Sequence, residues 1–142
     1  MPVIAIPEQS ENNIFTNIMI PCEGTEKDND TITWLLNFAE KNKATVHAVH
    51  FLTDSTNYNK SMIDKLHNRF RKYLENDMLQ LHFLAEKNIT EGIKKFASRN
   101  NIDMISMVTH HHGLFATIFN MSITRNIALY SQIPLLAYNI DK

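Results

Sequence analysis

Apolar residues in this chain recur in two patterns, and the two alternate along it. Short continuous runs form the first: Val3-Ile4-Ala5-Ile6, Ile18-Met19-Ile20, and Met104-Ile105-Ser106-Met107-Val108. Such runs suit strands buried on both faces, as in a parallel sheet. Thr45 to Phe51 is β-branched and aromatic, and Pro134 to Tyr138 is a closing apolar run, so both read as strands. Leu79, Leu81 and Phe83 alternate with Gln80 and His82, which places the latter pair on the opposite face. The second pattern is helical. Ile32, Leu35, Leu36 and Ala39 recur at i, i+3, i+4 and i+7. Met62, Leu66, Phe70, Tyr73 and Leu74 predict another amphipathic helix, as do Ile89, Ile93, Phe96 and Ala97, and then Ile123, Ile127 and Tyr130. Asp28, Asn29 or Asp30 suits a helix start, Asn88 and Glu91 have capping-box spacing, and Ser122 can cap the last helix. Cys22 to Asp30, Asp54 to Lys60 and Thr109 to Met121 read as loops. His47 and His50 are three apart in one strand, so they point to opposite faces.

Strands alternating with helices predict a parallel sheet covered by helices on both faces, connected by right-handed crossovers. Ligands bind such sheets beyond the carboxyl ends of the strands, where strand order reverses. The expected working surface is therefore the loop from Val108 to Ser122. Residues 1–13 read as an extra strand and linker, and 14–142 as one α/β domain. Pro2 to Pro7 echoes Pro134 to Asn139, so the chain begins with the kind of strand on which it ends. One reading makes residues 1–13 the remnant of a preceding domain in a tandem protein; chance likeness of two short apolar runs is the other.

Composition narrows the function classes. A net charge of −1, with basic and acidic residues interspersed, excludes the basic face that nucleic-acid binding needs. No apolar run is long enough to span a bilayer, and no signal peptide is visible. The single cysteine, Cys22, rules out an intrachain disulfide and fits a reducing, cytoplasmic setting. Only three glycines are present, Gly24, Gly92 and Gly113, which is few for a phosphate-binding chain.

Three blocks resemble the universal stress protein family. Asn17-Ile18-Met19-Ile20-Pro21-Cys22-Glu23 is similar to its opening strand, Val46 to Phe51 to its second, and Asp103 to His110 to its strand and threonine-histidine loop. The last block continues through Ser122 to Pro134-Leu135-Leu136, and the likeness spans Phe15 to Tyr138. The resemblance implies a five-stranded parallel sheet of order 3-2-1-4-5, here with a short extra N-terminal strand. It also implies a bacterial stress-response protein that forms a homodimer through its last strand, or pairs with a preceding domain. Some members bind ATP through a pattern of glycine, two residues, glycine, nine residues, glycine, then serine or threonine. Laid over this chain without gaps, the glycines fall on Val108, His111 and Met121, and the serine on Ser122, with Thr109 and Ile123 beside them. Every motif glycine is thus replaced, and side chains stand where backbone N–H groups would approach phosphate. The adenosine-side positions fall on Pro21, Glu23 and Phe51. The resemblance therefore implies ATP or AMP as cofactor, with the grip on phosphate weakened.

Other constellations compete with this one. His110, His112 and Cys22 offer an imidazole and thiolate set that can hold zinc. The plain alternative is one structural histidine among solvated ones. Cys22 as nucleophile lacks an oxyanion partner, so a cysteine without catalytic work is expected. Phe115, Ile118 and Phe119 read as packing or as a partner surface, and the basic helix from Lys60 to Lys72 as a solvated face. No paired carboxylates support catalysis. The expectation is a non-enzymatic ligand-sensing or protein-interaction domain, with weak ATP hydrolysis, zinc binding or pure oligomerisation as competing readings.

Overall fold

The computed structural model describes residues 3–5, 15–22, 27–52, 60–109 and 133–139. Its elements in chain order are β1 (Val3–Ala5), β2 (Asn17–Cys22), α1 (Lys27–Asn42), β3 (Thr45–Leu52), α2 (Lys60–Arg69), α3 (Arg71–Glu75), β4 (Leu79–Ala85), α4 (Ile89–Arg99), β5 (Met104–Thr109) and β6 (Leu135–Asn139). The helix expected from Ile123 to Tyr130 lies outside the described residues. Among the described residues, no helix is long and apolar enough to cross a membrane.

All six strands join one sheet in the order β1-β6-β5-β2-β3-β4. Counted from β2, the run β4-β3-β2-β5 is the order 3-2-1-4, and the sheet continues to β6 and β1. Every pairing from β2 to β6 is parallel, whereas β1 runs antiparallel to β6, with Val3 opposite Ala137 and Ala5 opposite Leu135. The extra N-terminal strand adds to this sheet beside β6. The two segments that echo each other in sequence lie side by side.

Alternation along the strands builds two cores. Ile18, Ile20, Val46, Ala48, Leu79 and Met104 face Ile32, Leu35 and Leu36 of α1 and Leu66 of α2. Met19, Val49, Phe51 and Ile105 face Ile93, Phe96 and Ala97 of α4. Helices therefore cover both faces, as the alternating pattern predicts. Burying ten or more large apolar side chains, each contributing about 1.5–3 kcal/mol, is the main stabilising term.

Two local expectations need correction. The segment from Cys22 to Asp30 is not all loop: β2 runs through Cys22, and α1 begins at Lys27. Asp28 and Asp30 lie within the first helical turn instead of capping it, where their charges meet the positive end of the helix dipole. The single helix expected across Met62 to Leu74 is two, because Phe70 leaves helical dihedrals at φ −111° and ψ 22°. Its ring stays in the core, and the Arg69 guanidinium lies 5.7 Å above it. At α4, Asn88 caps as its spacing predicts, its side chain accepting the Glu91 N–H at 3.1 Å. Lys43, Asp77 and Asn101 take the left-handed turns after α1, α3 and α4, a position usually given to glycine, of which this chain has few.

At the amino end of the sheet, Asp103 ties two strands together. Its carboxylate accepts the N–H of Thr16 at 2.8 Å and of Asn17 at 3.1 Å, which fixes the start of β2 against the start of β5. Burial holds the Asp103 carboxyl above its ordinary value, and these backbone N–H groups offset only part of that rise.

Candidate functional site at the carboxyl ends of the strands

Strand order reverses between β2 and β5, and there the ladder is short. The β2–β5 register pairs only Ile18 with Met104 and Met19 with Ile105. By contrast β2 stays paired with β3 through Cys22, and β5 with β6 through Thr109. Past Met19 and Ile105, each strand follows its outer neighbour. This is the crevice position at which open α/β sheets take ligands.

The expected site residues divide accordingly. Pro21 and Cys22 end β2 and are buried, and Val108 and Thr109 end β5. These four lie on the two sides of the crevice. Glu23, His110, His111, His112, Met121, Ser122 and Ile123 lie outside the described residues. Phe51 falls on an adenosine-side position in the overlay, where it either stacks on an adenine or fills that space. It is 3% exposed and packs into the α4 core. A Cβ added at Gly92 of α4 would stand 2.7 Å from the Phe51 ring, so only glycine lets this helix come so close. What remains of Phe51's surface lines a groove of about 430 Å³ with His82, Leu84, Glu86, Lys95 and Arg99, among others. That groove follows α4 along the β4 edge, away from the crevice, and Lys95 pairs with Glu86 across it at 3.6 Å.

On the face toward α1, three residues converge. Cys22 and His50 are register partners at the ends of β2 and β3, and Asp28 comes from the first turn of α1. One ligand atom from each lies within 4.8 Å of the other two. All three are buried, at 2%, 7% and 5% exposure for Cys22, His50 and Asp28. The Cys22 thiol points to the Ile20 carbonyl at 3.5 Å. The His50 ring stacks on Phe83 with centroids 5.1 Å apart. Both of its ring nitrogens are buried, with no hydrogen-bond partner among the described residues. Burial lowers its pKa to about 4, so the imidazole is neutral at neutral pH. Thr31 Oγ1 and Ser106 Oγ are likewise buried and unpartnered.

Sequence reasoning named Cys22 as a ligand and joined it to His110 and His112. It places His50 at the neighbouring strand end without counting it among the ligands, and it does not connect Asp28 with the set. The signal was present in the matched ends of two strands, Pro21-Cys22 and Val49-His50, once their register is known. The helix start read at Asp28 to Asp30 carries no sign that Asp28 turns toward the strand ends.

The opposite face of β3 carries a different arrangement. His47 Nδ1 lies 3.1 Å from His82 Nε2, and His47 Nε2 lies 3.1 Å from Asn17 Oδ1. Burial, and secondarily His82, lower the pKa of His47 to about 4.

No curated protein matches this chain. Among solved structures it is similar to a universal stress protein from Archaeoglobus fulgidus DSM 4304, at 14% identity and a TM-score of 0.71. The match covers 97% of this chain and 49% of that one, so the chain spans about half the length of that structure. It is similar to a universal stress protein in complex with cAMP, at 7% identity and a TM-score of 0.63, covering 91% of this chain and 100% of that one. A universal stress protein from Archaeoglobus fulgidus in complex with dAMP is 15% identical with a TM-score of 0.56, over 87% of this chain and 98% of that one. At such identities the likeness speaks for the fold. The family pattern itself matches residues 15–139, and the chain belongs to the universal stress protein family.

Proposed function

We propose that this chain is a non-enzymatic, cytoplasmic ligand-sensing domain of the stress response that takes a nucleoside monophosphate in the crevice between β2 and β5. The observation that carries the reading is the short β2–β5 ladder, which leaves the ends of the two strands, Pro21-Cys22 and Val108-Thr109, to diverge at the point of strand reversal. Membership of the family, and neighbours in complex with cAMP and dAMP, support a nucleotide as the ligand. The replaced glycines favour a monophosphate over a triphosphate. In the sequence overlay Val108, His111 and Met121 stand at the motif-glycine positions, and each carries a side chain that glycine lacks.

Calorimetric titration with AMP, cAMP and ATP tests this. AMP or cAMP is expected to bind at least as tightly as ATP. ATP binding tenfold tighter than AMP would refute the weakened phosphate grip, and no binding of any of the three would remove the nucleotide reading.

Assembly is a separate part of the proposal. A second copy is expected to pair at the sheet end formed by β6 and β1. Since β1 already hydrogen-bonds along β6, a partner must add to β1 or displace it. A chain lacking residues 1–13 exposes β6 and is expected to dimerise more strongly in light scattering. Monomers in both forms would argue against assembly through this edge.

A further inference from the structure

The convergence of Cys22, Asp28 and His50 is not used by the nucleotide reading, and it has the chemistry of a metal site. We propose that these three residues form a buried binding site for a single zinc ion. Thiolate, imidazole and carboxylate form the mixed sulfur, nitrogen and oxygen set that borderline-soft zinc prefers. Each ligand comes from a differently placed element: the end of β2, the first turn of α1 and the end of β3. No single amphipathic pattern explains why all three are buried together.

Two independent observations support the set. The first is the mutual distance of 4.8 Å or less between the three ligand atoms. Zinc–sulfur bonds of about 2.3 Å and zinc–nitrogen or zinc–oxygen bonds of about 2.0–2.2 Å put tetrahedral ligands roughly 3.5 Å apart. The site therefore has to close by at most about 1.3 Å. The second is His50, 7% exposed and with neither ring nitrogen partnered among the described residues. Buried polar atoms in folded proteins nearly always have a partner, and one that lacks one needs a reason. A metal bond supplies it at one nitrogen. The Phe83 ring stacked on His50 already fixes the plane of the imidazole.

Charge balance also fits. Binding releases the Cys22 proton to solvent, and the resulting thiolate with the Asp28 carboxylate offsets the double positive charge of the ion. Three protein ligands leave a fourth tetrahedral position for water, the arrangement of zinc sites that keep an open position. This set shares only Cys22 with the set expected from sequence.

The chain carries one cysteine, which makes the test specific. Cobalt is titrated into the full chain after chelator treatment, without nucleotide. One equivalent is expected to bind with a cobalt–thiolate charge-transfer band, and zinc is expected to displace it. Cys22→Ser should abolish the band. His50→Gln and Asp28→Asn should each weaken binding tenfold or more. Zinc should raise the melting temperature of the wild type and not that of the variants. If Cys22→Ser fails to fold by circular dichroism, Cys22→Ala serves in its place. No band with the wild type, or affinity unchanged in His50→Gln, would overturn the proposal. Because nucleotide is absent throughout, either result leaves the nucleotide reading to its own test.

Discussion

The two ends of this sheet treat buried polar groups in opposite ways. At the amino end they are satisfied. Asp103 accepts two backbone N–H groups, and Asn17, His47 and His82 form a chain of contacts at 3.1 Å. At the carboxyl end they are not: His50 has two orphaned nitrogens beside Cys22 and Asp28. His47 and His50 are three residues apart on one strand, both buried and both with pKa values lowered to about 4. Burial alone therefore does not tell them apart; partners do. A satisfied buried polar group holds structure together, whereas an unsatisfied one stores a local cost that a ligand can relieve. In this molecule the cost sits at the carboxyl end of the sheet, the end at which open α/β sheets take ligands.

The largest expected effect is at the satisfied end. Asp103→Ala orphans two N–H groups and removes the tie between β2 and β5, and should destabilise by about 2–3 kcal/mol in urea titration. A loss under about 0.5 kcal/mol would show that the amino end is not held this way. Next, His47→Leu leaves Asn17 and His82 without their partner and should cost about 2 kcal/mol. Acid should act on the same contacts. The folded chain holds His47 and His82 neutral, with pKa values below that of the unfolded chain. The unfolded chain protonates first as pH falls through about 6.5, so stability is lost from there down to about pH 4, where folded His47 also charges. His82→Gln should flatten that slope in Trp34 fluorescence melts.

Smaller effects sharpen the contrast. Gly92→Ala gains about 1 kcal/mol of helix propensity but drives a methyl into the Phe51 ring, and overpacking of about 1–3 kcal/mol should win. A net stabilisation would mean that Phe51 yields easily. Last, His50→Leu in metal-free protein should be neutral or stabilise by up to about 1 kcal/mol, the opposite sign to His47→Leu. A clear destabilisation would erase the difference between the two histidines.

Much of the fold was legible because it is local. Continuous apolar runs mark strands covered on both faces, and the Asn88 to Glu91 spacing marks a cap that forms as read. Less of the site was legible. Periodicity located Phe51 in a strand, but not that α4 approaches it closely enough to require Gly92. The motif overlay pointed to the loop after β5, and most of those positions lie outside the described residues.

The sequence by itself determined the alternation of strands and helices among the described residues, and that His47 and His50 face opposite ways. Those follow from the 2.0 and 3.6 residue periods of the backbone. Only the tertiary structure decided who meets whom. Cys22 pairs with His50 because β2 and β3 align at that register, and Asp28 reaches them because α1 starts five residues after Cys22. β1 lies along β6 because an edge strand pairs with whatever matching backbone reaches it. Register is a long-range outcome of burying two faces at once, and no local pattern encodes it.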